Sequence, residues 1–94
     1  MLVKLGSYGN YASDNYSGHC IRLQMGSLTL YFSYKTVVAF CDGNSEMQIC
    51  ENVWGPTTGK HLNWLDAGNK KERIEQSEFK DKLQVVLDKH GLVL

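Results

Sequence analysis

The chain has 94 residues, of which 43% are hydrophobic and 21% are charged, a balance that is typical of a folded globular protein and unlike that of disordered chains. A chain of this length builds one hydrophobic core, so we expect a single domain over residues 1–94. Ten basic and ten acidic residues give zero formal charge, which disfavours nucleic acid as the main partner because no positive field attracts phosphates.

The N-terminal segment predicts an edge strand followed by a tyrosine-rich loop. Residues 3–5 are the candidate strand, and residues 6–18 have the glycine, serine, asparagine and tyrosine content of a flexible loop. Two interpretations of its tyrosines stay open. They cover an exposed sheet face, or they contact a partner, because tyrosine brings a large contact area at small entropic cost. The candidates are Tyr8, Tyr11 and Tyr16.

A β-hairpin is predicted around Gly26, because glycine at the first central position suits a two-residue type II′ turn. This turn sets Leu23 opposite Leu30 on an apolar sheet face. Arg22 then lies opposite Tyr31 on the other face, which we call the mixed face. We expect Arg22 and Tyr31 to contribute to partner binding from there.

A second hairpin is predicted around a turn at residues 42–45. The favoured register sets Phe40 opposite Met47 and Val38 opposite Ile49, and it places all four side chains on the apolar face. Slipping the strands by one residue would instead set Phe40 against a glutamate. The sequence therefore predicts an antiparallel meander of four to five strands.

The three cysteines are predicted to be half-buried filler residues on the mixed face. Their spacing matches neither a disulfide framework nor a zinc site, and the predicted register holds Cys41 and Cys50 about 13 Å apart, too far for a bridge. No apolar run approaches the ~18 residues that span a bilayer, and the start is too short for a signal peptide. We expect a cytoplasmic protein with no metal, no cofactor and no membrane contact.

Residues 52–64 hold both tryptophans, the only proline and a Lys-His pair. One interpretation is structural, with Trp54 and Trp64 closing one end of the core. The other is a binding surface on which Trp54, Lys60 and His61 contact a partner. The sequence does not decide between them.

The run from Gly55 to His61 fails the phosphate-loop pattern, because three residues instead of four separate its glycines and histidine follows the lysine. A weaker anion-binding hypothesis survives, in which Thr57 or Thr58 caps a short helix that runs to about Asp66. With the basic cluster that follows, the anion-binding candidates are Thr57, Thr58, Lys60, His61, Lys70, Lys71 and Arg73.

Catalysis is not predicted. His61 with Asp66, or His19 with Cys20, would be the pairs to examine for acid/base or nucleophilic chemistry. Neither spacing is diagnostic, and no third orienting group is evident.

The C-terminal segment predicts an amphipathic helix, because Phe79, Leu83 and Leu87 recur at helical spacing. Ser77 is the predicted N-cap and Gly91 the predicted stop. The helix should lie on the apolar sheet face. The predicted fold class is α+β: a four- to five-stranded antiparallel meander packed on one C-terminal helix, with a short helical turn after the Trp54 loop.

Two stretches, residues 30–40 and 51–64, resemble a family of small uncharacterised proteins encoded by phages, prophages and some archaeal genomes. The pattern is SYxTxVAF followed by WGxTTGKHLN, and the resemblance spans roughly residues 20–90. It implies an origin in a mobile element. Because small phage proteins often bind host proteins, it also implies a host or antiviral-defence protein as partner, with inhibition as one outcome. The family brings no known binding residues.

We therefore expect a non-enzymatic, phage-type accessory protein that acts by protein–protein binding in the host cytoplasm. Homodimerisation stays open, because a chain of zero net charge lacks repulsion between copies. The expected contact residues are Tyr8, Tyr11, Tyr16, Arg22, Tyr31, Trp54, Lys60 and His61. The alternative is a nucleic-acid or small-anion binding module that uses Lys60, His61 and the cluster from Lys70 to Arg73.

Overall fold

The computed structural model describes residues 3–9, 19–43 and 45–93, so the predictions for Tyr11 and Tyr16 lie outside the described residues. Within these residues, five antiparallel strands form one open sheet in chain order: β1 Val3–Ser7, β2 Cys20–Met25, β3 Leu28–Ser33, β4 Thr36–Asp42 and β5 Gln48–Ile49. The helical elements that follow are α1 Pro56–Asp66, a 3-10 helix Lys70–Glu72, and α2 Gln76–Lys89. The predicted α+β class is confirmed.

The register of the first hairpin is confirmed. Leu23 pairs with Leu30, and Arg22 pairs with Tyr31. Gly26 has φ 59°, a conformation that glycine adopts without steric strain, and it is the only one of the two turn residues with positive φ. Local alternation and one turn glycine were enough to specify this hairpin.

The register predicted for the second hairpin is wrong by one residue. Phe40 pairs with Gln48, and Ala39 pairs with Ile49. Strand β4 also contains a β-bulge, where the pairing to β3 shifts and Val38 becomes an extra residue. The bulge turns Val38 to the mixed face, next to Ala39, and a strict alternation count cannot detect such an insertion.

Helix α2 covers the apolar face of the sheet, as predicted. Its Phe79 packs against Phe40 of β4 with ring centroids 5.4 Å apart. The helix begins at Gln76 with Glu75 as its N-cap, so the prediction of Ser77 as N-cap is wrong. The buried core on this face comprises Leu28, Leu30, Phe40, Cys50, Phe79 and Leu87. The placement of Cys50 here, and not on the mixed face, follows from the corrected register.

Helix α1 covers part of the mixed face, for which no covering helix was predicted from the sequence. Its Leu62 is fully buried against Val38, Ala39 and Ile49. These positions form a second apolar cluster, so the sheet lies between two helices. No helix in the described part of the chain is long and apolar enough to cross a bilayer.

The prediction of Thr57 or Thr58 as the N-cap of α1 is wrong by two or three residues. The helix begins at Pro56, with Gly55 as N-cap, because proline suits the first helical position, where no N–H is needed. Thr57 and Thr58 therefore lie inside the first turn and do not cap it. The helix ends at Asp66, as predicted.

Candidate functional site

An exposed apolar surface forms where the β3–β4 turn meets the start of α1. Tyr34, Val53 and Trp54 are 45%, 46% and 40% exposed. Tyr34, Trp54 and Pro56 border one cavity of about 270 Å³, so the two rings lie on the same corner of the molecule. We call Tyr34, Trp54 and Pro56 the Trp54 corner.

Asn52 fixes the loop that carries Trp54. Its side-chain oxygen accepts a hydrogen bond from the Trp54 backbone N–H at 3.0 Å, and its side-chain nitrogen donates to the Gly55 carbonyl at 3.1 Å. Gly59 makes room for this amide, because a Cβ there would lie 3.1 Å from the Asn52 nitrogen. The loop is therefore held by side-chain hydrogen bonds, as in other asparagine turns.

Contacts with His19 hold Tyr34 in place. It occupies the left-handed region with φ 57°, which is costly for a residue with a side chain. Its backbone N–H donates to the His19 carbonyl at 2.8 Å, and its ring stacks on the His19 ring with centroids 4.3 Å apart. This conformation was not predicted from the sequence, because tyrosine does not typically mark a left-handed turn position.

A buried polar network lies beneath the corner and joins β3 to α1. The Ser33 hydroxyl lies 2.8 Å from the Thr58 hydroxyl and 2.7 Å from Nδ1 of His61. Ser33 is 2% exposed, Thr58 is 5% exposed and His61 is fully buried. This network was not predicted from the sequence, because 28 residues separate Ser33 from His61 and no local pattern indicates that the two side chains meet.

Tyr8 is the one candidate of the predicted tyrosine-rich loop that lies within the described residues, and it is buried at 2% exposure. Its hydroxyl donates to the Phe32 carbonyl at 2.7 Å, and its ring meets Tyr31 edge-on with centroids 5.4 Å apart. Trp64 of α1 packs on the same ring at 5.8 Å. Tyr8 therefore covers the sheet, as one of the two interpretations held.

The predicted contact residues do not share one accessible surface. Arg22, Trp54 and Lys60 are exposed and Tyr31 is half-buried, whereas Tyr8 and His61 are buried. A partner reaches neither of these two side chains in this structure. Their contribution is to support the exposed residues from below.

A groove of about 620 Å³ opens between the sheet and α2, on the other side of Trp54. Its apolar lining consists of Phe32, Val37, Cys50, Trp54, Phe79, Leu83 and Leu87. Its polar lining consists of Lys35, Thr36, Gln76, Lys80 and Gln84. Burial raises the pKa of the Cys50 thiol to about 11, with Glu51 adding to the rise and Lys80 opposing it. We call this cavity the α2 groove.

A family model matches residues 3–81, which is most of the chain and includes the Trp54 corner and the network beneath it. The chain belongs to DUF8033, a family of unknown function. No curated protein and no solved structure matches it. The family match does not indicate the source of the protein, so the mobile-element origin stays a prediction.

The anion-binding candidates of this DUF8033 chain are dispersed. Arg73 donates two hydrogen bonds to Asp66, at 2.6 and 3.0 Å, and one to Asn63 at 3.0 Å. Thr58 and His61 are committed to the network with Ser33. Lys60, Lys70 and Lys71 are exposed, and Thr57 is half-buried.

In the DUF8033 fold, members of the two candidate catalytic pairs contact other residues. Asp66 is paired with Arg73. His19 stacks on Tyr34, and the Cys20 thiol donates to the Tyr8 carbonyl. Within residues 3–9, 19–43 and 45–93, no group of three or more His, Cys, Asp or Glu is arranged to hold a metal ion.

Proposed function

We propose that the chain is a non-enzymatic binding protein that docks a partner protein through the Trp54 corner. One observation carries the proposal: Trp54 is 40% exposed on a loop that Asn52 holds in place. Tryptophan and tyrosine are enriched among the residues that dominate binding energy. An aromatic side chain on a fixed loop also loses little conformational entropy when a partner covers it.

The surroundings of Trp54 support a protein partner. Tyr34 adds a second exposed ring, and its turn is held by the His19 stack. Lys35 and Asn52 are exposed polar residues next to the two rings in the chain. An apolar centre with a polar rim is the usual composition of a protein interface. We include in the proposal the accessory role implied by the resemblance, with a host or defence-system protein as the partner.

A matched pair of tryptophan variants tests the proposal. Trp54→Ser and Trp64→Ser each remove one half-exposed tryptophan, since Trp64 is 49% exposed on α1. Both variants and the wild type would be immobilised and used to capture proteins from the native host, with quantitative mass spectrometry as the readout. We expect Trp54→Ser to reduce a specific captured protein roughly tenfold or more, and Trp64→Ser to leave it unchanged.

Thermal melting of both variants must match the wild type for the comparison to hold. Equal capture by Trp54→Ser and wild type would refute the Trp54 corner as the docking surface. The same capture after nuclease treatment, at low and high salt, tests the nucleic-acid alternative. Binding through phosphate contacts would weaken steeply with salt, whereas an apolar contact would persist.

A further inference from the structure

The floor and walls of the α2 groove are apolar and only partly covered. Cys50 is fully buried at its base and Phe79 is 2% exposed, whereas Val37 and Leu83 are half-buried. A volume of about 620 Å³ is within the range of small-ligand sites, which measure roughly 300–1,000 Å³. The groove therefore has space and apolar surface for a hydrocarbon chain.

The charged side chains that line the groove have one sign. Lys35, in the β3–β4 turn, and Lys80, on α2, both line it, and no aspartate or glutamate among the described residues does. Within the described part of the chain, neither ammonium has a carboxylate within 4 Å. Two other lysines of α2 do have one, because Lys82 pairs with Glu78 and Lys89 with Asp42.

We propose that the α2 groove binds a small amphiphilic anion, with its hydrocarbon chain against the apolar floor and its carboxylate at Lys35 and Lys80. The ammonium groups of the two lysines attract a carboxylate and repel a cation. They give a neutral molecule no such attraction. The hydrocarbon chain supplies the affinity by covering apolar side chains that the fold leaves partly exposed. This site shares Trp54 with the proposed protein contact but lies on the other side of that residue, and the proposal does not depend on the protein contact.

The test compares decanoate with two compounds of the same chain length, decanol and decyltrimethylammonium, all below the concentration at which micelles form. A Trp64→Phe background leaves Trp54, which lines the groove, as the only tryptophan reporter. Amide NMR shifts locate the bound ligand. We expect decanoate to bind most tightly, to change Trp54 fluorescence, and to shift resonances of Val37, Cys50 and Leu83.

Single-charge variants test the role of the lysines. Lys35→Gln and Lys80→Gln should each weaken decanoate about two- to fivefold, the effect of one partly exposed ion pair. Gln76→Glu places a negative charge in the lining beside the two lysines and should weaken decanoate and narrow its preference over decyltrimethylammonium. Lys82→Gln is the matched control, since Lys82 is on the same helix but borders a different cavity, and it should leave decanoate affinity unchanged.

Equal affinity for decanoate and decyltrimethylammonium would overturn the proposal, as would amide shifts confined to residues outside the groove. Binding to decanoate-doped phosphatidylcholine vesicles without binding to monomeric decanoate would also overturn it, in favour of a membrane surface. All of these proteins retain Trp54, so their results are independent of the capture experiment.

Discussion

Ser33 and His61 join the sheet to helix α1 through a buried hydrogen bond of 2.7 Å. Thr58 extends the connection, because its hydroxyl lies 2.8 Å from that of Ser33. The Trp54 corner is formed by the segments on either side of this joint, the β3–β4 turn and the start of α1. The position of the exposed rings therefore depends on polar groups that water does not reach.

The first prediction concerns this network. Ser33→Ala should lower the free energy of unfolding by about 1–3 kcal/mol, because it leaves a buried ring nitrogen and a buried hydroxyl without their shared partner. Urea denaturation measures the change. Thr57→Ala, in the same helical turn but outside the network, should cost less than about 0.5 kcal/mol.

Thr58→Val, alone and combined with Ser33→Ala, completes a double-mutant cycle. The two effects should be non-additive by about 0.5 kcal/mol or more, because both changes remove the same hydrogen bond. Strict additivity, or a Ser33→Ala protein as stable as the wild type, would show that the network does not hold α1 on the sheet.

The second prediction concerns the left-handed residue in the β3–β4 turn. Tyr34→Gly and Tyr34→Ala both remove the ring that stacks on His19, but only glycine adopts φ 57° without strain. We expect the Tyr34→Gly protein to be more stable than the Tyr34→Ala protein by about 1 kcal/mol in thermal or urea unfolding.

The same pair of variants separates stability from binding. Loss of the ring should weaken partner capture in both proteins, whereas the backbone strain differs between them. If capture followed stability instead, with Tyr34→Gly close to wild type, the tyrosine ring would not be part of the interface. Equal stability of the two variants would mean that the turn rearranges when the ring is removed.

Features that depend on neighbouring residues were predicted from the sequence, whereas features that depend on contacts between distant residues were not. The β2–β3 hairpin was predicted in register, because Gly26 and the alternation of neighbouring residues are local signals. The bulge at Val38 was not, because β4 contains apolar residues at consecutive positions and both faces of the sheet turn out to be covered. The observed β5 register pairs Ala39 with Ile49, which places Ile49 with Val38 and Cys50 with the core under α2.

The sequence predicted which segment forms the candidate site, but it did not predict how the side chains of that segment are arranged. The segment around Trp54 stood out because it concentrates both tryptophans and the proline. Sequence reasoning grouped His61 and Trp54 on one surface, whereas α1 turns His61 inward to Ser33 and leaves Trp54 outward. Which side of a helix faces the sheet depends on contacts such as Leu62 with Val38, which are distant in the chain.

The third prediction contrasts a buried and an exposed ion pair. Arg73 and Asp66 have side chains that are 6% and 9% exposed, and Lys82 and Glu78 have side chains that are 49% and 55% exposed. Asp66→Ala should cost about 3 kcal/mol or more of unfolding free energy, because it leaves the Arg73 guanidinium covered without its carboxylate. Lys82→Ala should cost less than about 0.5 kcal/mol.

Arg73→Lys tests the geometry of the buried pair. Arginine meets Asp66 through two nitrogens, and lysine offers a single ammonium that cannot reproduce both hydrogen bonds. We expect a stability between those of the wild type and Asp66→Ala. If Arg73→Lys and Lys82→Ala had equally small effects on the free energy of unfolding, the Arg73 contact would contribute no more to stability than an exposed surface pair.

The fourth prediction concerns acid stability at the end of α2. The hydrogen bond from Lys89 holds the pKa of the Asp42 carboxyl below its ordinary value of 3.8; desolvation opposes this, and hydrogen bonds from His90 and Ser27 add to the lowering. A carboxyl whose pKa is lower in the folded state stabilises the fold above its unfolded pKa and loses this contribution as pH falls through the folded pKa. The contribution of Asp42 should therefore be complete at neutral pH, begin to fall near pH 3.8, and be lost as the pH falls through the lower pKa of the folded state.

Asp42→Asn should accordingly be less stable than the wild type at pH 7, and the difference should shrink as the pH falls below 3.8. Lys89→Gln removes the largest cause of the lowered pKa, so an NMR titration of the Asp42 carboxyl carbon should show its midpoint at higher pH than in the wild type. A constant stability difference from pH 7 to pH 2 would contradict the assignment, because it would reflect lost contacts that do not involve the charge of Asp42. An unchanged titration midpoint in Lys89→Gln would show that the 2.9 Å contact between Lys89 and Asp42 does not persist in solution.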